Sequence, residues 1–235
     1  MSGLFRFKQF SLSDEASSMK IGTDAVLLGA WTECKYASQI LDVGSGCGIL
    51  SLMLAQRSQA KVFAIEIDPG AAGQCHENFQ NSPWPDRLEL QKISVQEFCQ
   101  QNELQFDLIV CNPPFFQNSL LSPDQGRNLA RHNNTLGTHD LLLAVNFLGN
   151  DDISFNLILP SFQETGFVNL AKTYGLNCTR KLNVRTFDNS PFVRVLMEFQ
   201  RKALPMEVSE MVLRDSYGQY TQEYQRMTFE YHLGF

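Results

Sequence analysis

The sequence contains no Cys-x-x-Cys pair, no excess of positive charge and no apolar run approaching the ~20 residues that span a bilayer. Each absence excludes something. Six cysteines (Cys34, Cys47, Cys75, Cys99, Cys111 and Cys178) are scattered through apolar or mixed segments, with no histidine at ligand spacing. They read as small core hydrophobes of a reducing compartment, and no metal is implied. The N-terminal stretch MSGLFRFKQFSLSDEASSM lacks the uninterrupted apolar segment of an export signal, so a cytoplasmic location without membrane attachment is expected. A net charge of −6 argues against a protein that coats nucleic acid non-specifically, although Arg180, Lys181 and Arg185 lie close enough to offer a local basic face. No repeat, low-complexity tract or Pro/Gly/Ser linker divides the chain.

What is present is apolar material for a sizeable core, 43% of 235 residues with 18 Phe, which suits a single domain. Residues 1–38 are expected to form an N-terminal extension, 39–200 the core, and 201–235 a tail packed on it. Phe5, Phe7 and Phe10 alternate with polar residues and suit an edge hairpin. A helical pattern covers Ala25 to Trp31. From there strands and helices alternate. Strands are expected at Gln39–Val43, Lys61–Ile67, Leu88–Ile93, Phe106–Cys111 and Ser154–Leu159. Helices are expected at Ile49–Gln56, Ala71–Phe79, near 138–148 and near 162–174. Strands that are apolar throughout, separated by helices, indicate a parallel sheet covered on both faces. Asn177–Val184 and Phe192–Phe199, joined through Asn-Ser-Pro, suit an antiparallel hairpin at one edge, followed by a helix or loop. The architecture is therefore α/β, a doubly wound and mostly parallel sheet of seven strands.

The first strand runs into Asp42-Val43-Gly44-Ser45-Gly46-Cys47-Gly48. Gly44 permits a tight turn, Gly46 lets a ligand lie against the backbone, and Gly48 allows close packing. Alone, this loop could be merely a turn. Its position between strand and helix strengthens it, as does Glu66 at the end of the next strand, about 20 residues on, where an acid accepts the hydroxyls of a ribose. Asp42 lies two residues before the first glycine, awkward beside a pyrophosphate but suited to a cationic ligand. S-adenosylmethionine carries both an ammonium and a sulfonium.

The fourth strand ends in Cys111-Asn112-Pro113-Pro114-Phe115-Phe116. Asn112 then stands at the carboxyl edge of the sheet, where open α/β folds bind ligands. Two prolines stiffen the corner and offer no N–H, so it presents acceptors: the Asn112 amide oxygen and the Pro113 carbonyl. Two fixed acceptors match a planar –NH2 group. Phe115 offers a face for stacking a base. The plainer reading is a strand-terminating turn with Phe115 and Phe116 in the core; the glycine loop earlier in the chain, with two strands between, weighs against it.

These motifs resemble the class I, Rossmann-like S-adenosylmethionine methyltransferases with an Asn-Pro-Pro-Phe/Tyr motif, over residues 20–200. The stretch Met19 to Trp31, the block Arg127-Asn128-Leu129-Ala130-Arg131-His132 and the tail Tyr220 to Tyr224 resemble the bacterial tRNA(Val) adenine-N6 methyltransferases, which act on the adenosine just after the anticodon. The resemblance implies that Asn112, Pro113, Pro114 and Phe115 are catalytic. It implies that Thr23, Asp24, Asp42 and Gly44 lie along the methionine end of the donor, with Gly46, Gly48 and Asn112 beside it. Glu66 would hold the ribose, and Ile67 and Val95 would flank the donor's adenine. Where the family pattern has Asp, this chain has Ser94, so that contact is missing or made by a hydroxyl. Arg127 and Arg131 would meet RNA phosphates, or form a solvated loop. Thr23 or Asp24 could equally be a helix N-cap, and Arg194 reads as structural. The expected partner is tRNA and the expected state a monomer. Three other readings stand beside this one: a protein glutamine methyltransferase, an rRNA guanine-N2 methyltransferase, and a non-enzymatic scaffold.

Overall fold

The computed structural model describes residues 3–17, 19–113 and 136–234. Eight strands form the main sheet: β3 (Gln39–Val43), β4 (Lys61–Ile65), β5 (Leu88–Gln91), β6 (Phe106–Cys111), β7 (Gly149–Pro160), β8 (Asn177–Arg185), β9 (Phe192–Gln200) and β10 (Glu207–Val212). Their spatial order is β10-β8-β9-β7-β6-β3-β4-β5. Strands β3 to β7 are mutually parallel, β9 is antiparallel to both β7 and β8, and β10 lies parallel to β8.

The sheet has one strand more than the seven expected. The extra one, Glu-Val-Ser-Glu-Met-Val, buries little besides Met211, so it carries no apolar-run signal. Its place is set by backbone pairing to β8. The Phe-rich N-terminus is a hairpin of its own, β1 (Leu4–Arg6) against β2 (Ser11–Ser13), and not an edge of the main sheet. Phe7 and Phe10 stack at 4.7 Å within it and are buried against Trp84 and His232.

Helices cover both faces because successive strand residues point to opposite sides. On one face Ile40, Leu108 and Val110 meet α1 (Thr23–Trp31), α2 (Ile49–Arg57), α3 (Pro69–Gln80) and α7 (Gln222–Thr228). On the other, Leu41, Ile109 and Cys111 meet α4 (Val95–Gln101), α5 (Thr138–Leu148) and α6 (Glu164–Thr173). Helix α1 is buried from Ala25 to Trp31 because it is apolar all round and lies under a second layer. It approaches α2 closely: a Cβ on Gly29 would stand 2.7 Å from the Met53 sulfur.

The basic face suggested by Arg180, Lys181 and Arg185 is spent internally. Arg180 pairs with Glu198 at 2.8 Å and lies over the Trp31 ring, Lys181 pairs with Glu164 at 2.6 Å, and Arg185 pairs with Glu210.

Candidate active site

Strands β3, β4 and β6 end side by side, so the glycine loop, Glu66 and Asn112 emerge at one carboxyl edge. The loop passes from β3 into α2 with Gly44, Gly46 and Gly48 at φ of 72°, 56° and 87°, a left-handed conformation that costs other residues ~1–2 kcal/mol each. The Gly44 and Ser45 amides both donate to the Ile65 carbonyl, at 3.0 and 3.1 Å, tying the turn to β4. A Cβ on Gly48 would collide with Cys75 Sγ and Phe79 of α3, each at 2.7 Å, so Gly48 serves packing. Gly44 has no atom within 4 Å of its missing Cβ, so the open backbone lies there. At Gly46 the Ser17 hydroxyl stands 3.7 Å away.

That hydroxyl belongs to a strap, residues 13–17 and 19–21, that leaves the end of β2 and crosses the loop. Buried Asp14 shapes it, Oδ2 accepting the Ile21 amide at 2.9 Å, while Ser17 Oγ donates to the Met19 carbonyl. Buried Asn78 of α3 joins strap and loop: its amide nitrogen donates to the carbonyls of Ser13 and Cys47, both at 2.8 Å, and its oxygen accepts the Ser13 amide. A cleft opens between strap and loop, lined by Met19 to Ile21, Ala25, Gly44 to Cys47, the first turn of α2 and Asn112.

Glu66 reaches into the loop. One carboxylate oxygen accepts the Gly46 amide and the other the Asp68 amide, each at 2.8 Å. Each oxygen keeps a second lone pair, so the carboxylate can brace the loop and still accept a ligand hydroxyl. Ile67 beside it is 46% exposed, an apolar face open to a flat ring.

Asp42 is fully buried under α2. Its Oδ2 accepts from the Ser51 hydroxyl at 2.7 Å and the Ser51 amide at 3.1 Å, whereas Oδ1 has no partner. Burial pushes its carboxyl from 3.8 up to about 7, against the lowering effect of the Ser51 bonds. A half-satisfied carboxylate that resists ionisation is a site a nearby cation would relieve.

Other expected site residues sit as follows. Gly22, not Thr23 or Asp24, is the N-cap of α1. Thr23 and Asp24 open the first turn beside Ala25, and the Asp24 carboxylate accepts from Arg194 Nε at 2.8 Å. Arg194 thus joins β9 to α1. Ser94 caps α4, its hydroxyl donating to Glu97 at 2.7 Å and accepting the Glu97 amide, so it is committed within the helix start. Val95 behind it is buried, as is Pro113. Pro114, Phe115, Arg127 and Arg131 lie outside the described residues. Cys75 and Cys111 near the cleft are held well above the ordinary thiol range by burial, which leaves them poor nucleophiles. Among the described residues no group of three side chains could hold a metal ion, and no helix is long and apolar enough to cross a membrane.

Sequence reasoning missed Asp14, Asn78, Ser51 and the pairing of Arg194 with Asp24. None sits in a motif; each acts through a contact distant in the chain.

A doubly wound sheet with a left-handed glycine loop after β3, an acid at the end of the neighbouring β4 and an Asn-Pro corner at the end of β6 on the other side defines a Rossmann-like methyltransferase. Comparison with known proteins agrees. The family model described as methyltransferase small domain matches residues 16–143. A protein of Bacteroides thetaiotaomicron is 42% identical over 232 residues, covering 97% of both chains; one of Trichodesmium erythraeum is 38% identical with the same coverage. Both are named tRNA1(Val) (adenine(37)-N6)-methyltransferase. Among solved structures, one described as a predicted O-methyltransferase of Agrobacterium tumefaciens superposes with a TM-score of 0.69 at 14% identity, covering 88% of this chain and 96% of that one, a likeness of fold. The chain belongs to the methyltransferase small domain family.

Proposed function

We propose that the protein transfers the methyl group of S-adenosylmethionine to the exocyclic amino group of an adenosine in tRNA, the adenosine 3′ of the anticodon in tRNA(Val) being the target that its relatives' names indicate. The observation that carries this reading is that Asn112 lines the same cleft as Gly44 and Gly46. Donor loop and amino-group acceptor thus face one space.

The donor fits the residues present. Gly44 offers open backbone, Glu66 keeps lone pairs for ribose hydroxyls, Ile67 offers an apolar face for adenine, and Asp42 is an under-satisfied acid close to the loop. When bound, S-adenosylmethionine supplies a methyl group on a positively charged sulfur, ready for in-line attack. Asn112 and the Pro113 carbonyl then accept the two amino hydrogens of the target. An adenine amino nitrogen is a weak nucleophile because its lone pair is delocalised into the ring. Two fixed acceptors favour a tetrahedral nitrogen, which frees that lone pair. The proton shed after attack passes from this corner to water, and no strong base is needed. Orientation and preorganised dipoles supply the acceleration, orientation alone being worth up to ~7–11 kcal/mol in favourable cases.

The reading includes a single domain acting as a monomer in the cytoplasm. The test is transfer of labelled methyl to total tRNA lacking its own modifications, followed by nucleoside analysis. N6-methyladenosine confined to one tRNA supports the assignment; label in protein and none in RNA would move it to glutamine.

A further inference from the structure

Phe162 is 82% exposed, yet the chain around it is firmly held. It occupies a 3-10 turn, Ser161–Gln163, between β7 and α6. Residues Phe155 to Pro160 before it and Gln163 after it are buried. Ser161 Oγ donates to the Phe192 carbonyl at 2.6 Å, and Glu164 is bonded to Lys181 at 2.6 Å. A phenylalanine in a loose loop would be exposed for want of anything better. Here a rigid turn presents one ring to solvent while its neighbours pack.

Its location gives the ring a use. Cys111 lies opposite Leu157 in the β6–β7 ladder, so Asn112 stands level with Ile158. Phe162 comes four residues further along the chain, two past the end of β7. With at most ~3.3 Å per residue and ~4.8 Å between strands, the two backbones lie within roughly 15 Å of each other on the same carboxyl edge. The edge continues with exposed Phe187, between β8 and β9, and exposed Tyr217, beyond β10. Tyr36, just as exposed, lies between α1 and β3 at the opposite edge.

We propose that Phe162 stacks on a nucleotide adjacent to the target adenosine and holds the RNA loop while the target base enters the Asn112 corner; this rests on the RNA reading above. Turning a base out of its stack leaves its neighbour with a bare face. An aromatic side chain covers that face whatever the base. Phenylalanine has no polar tip, so it contributes hold and position, not base identity. A backbone already held on a firm turn loses little further freedom when the RNA arrives, and a phenylalanine side chain has only two rotatable bonds to fix.

The test compares wild type with Phe162→Ala, Phe162→Trp and Tyr36→Ala, measuring KM for unmodified tRNA, kcat and donor affinity. A second readout is the fluorescence of an anticodon-loop RNA with 2-aminopurine beside the target. Phe162→Ala is expected to raise the RNA KM about 10-fold, equivalent to ~1.4 kcal/mol, with kcat and donor affinity nearly unchanged. The quenching of 2-aminopurine that wild type produces should be lost. Phe162→Trp and Tyr36→Ala should both behave as wild type. An RNA KM unmoved by Phe162→Ala overturns the proposal, and so does a Phe162→Trp variant as impaired as the alanine one, which would make the ring a packing element. Absence of methyl transfer to any RNA by wild type itself refutes the functional reading before any variant is compared.

Discussion

Replacing Asp42 with asparagine should make the ligand-free protein more stable at neutral pH and a worse binder of its donor. The carboxyl is fully buried, with Oδ1 unpartnered, and burial pushes it from 3.8 to about 7. A folded-state value above the unfolded one means that between pH ~4 and ~7 the native state holds a proton the unfolded chain has released. Stability therefore falls as pH rises through that window and levels off above it. The span from 3.8 to about 7 is roughly 3 pH units, which at 1.36 kcal/mol each is ~4 kcal/mol. Asparagine keeps the oxygen that accepts from Ser51 and cannot ionise. Urea unfolding of both proteins from pH 3.5 to 8.5 isolates the effect, because all other titrations cancel in the difference. The two should coincide near pH 4 and separate progressively, asparagine ahead by up to ~4 kcal/mol at pH 8. In wild type a cationic donor group near the loop favours the ionised acid, so donor affinity should rise with pH toward 7; in the variant that rise should vanish. Parallel unfolding profiles would refute the argument, for they would mean that Asp42 titrates like a solvated carboxylate.

Asn112→Ala should leave donor affinity nearly intact and slow methyl transfer about 10²–10³-fold, the range for losing one preorganised polar group; an equal loss of donor affinity in a binding titration would assign Asn112 to the cofactor. Gly48→Ala and Gly44→Ala separate packing from approach. The first adds a collision with Cys75 and Phe79 to the left-handed penalty and should cost ~2–5 kcal/mol in chemical unfolding. The second should cost only ~1–2 kcal/mol and weaken donor binding instead. Glu66→Gln should raise the donor Kd about 10-fold while leaving the RNA KM alone, since the carboxylate's remaining lone pairs accept donor hydroxyls; an unchanged Kd would make Glu66 a brace of Gly46 only.

Much of this was legible beforehand, for identifiable reasons. The β3, β4 and β6 strands and the second half of β7 are largely apolar runs, and their parallel pairing follows from the helices between them; the polar start of β7, Gly149 to Asp152, was not legible. The hairpin of β8 and β9 was legible from the spacing around Asn-Ser-Pro. β10 was not, because an exposed edge strand pairs by backbone and has no apolar pattern to show. The N-cap of α1 fell on Gly22, because backbone conformation and not side-chain preference set the helix start.

At the site the division is similar. The order Asp42-Val43-Gly44, Glu66 and Asn112-Pro113 along the chain determined by itself that a ligand loop, an acid and an acceptor corner would meet at one sheet edge, since parallel strands put all their carboxyl ends on the same side. Tertiary structure alone decided how those groups are held. Glu66 accepts from Gly46, Asp42 is sealed against Ser51, Asn78 ties the strap to the loop, Arg194 takes Asp24, and Phe162 is left bare on a rigid turn. Those outcomes depend on contacts between segments far apart in the chain, where burial and geometry are settled only once the helices have packed on the sheet.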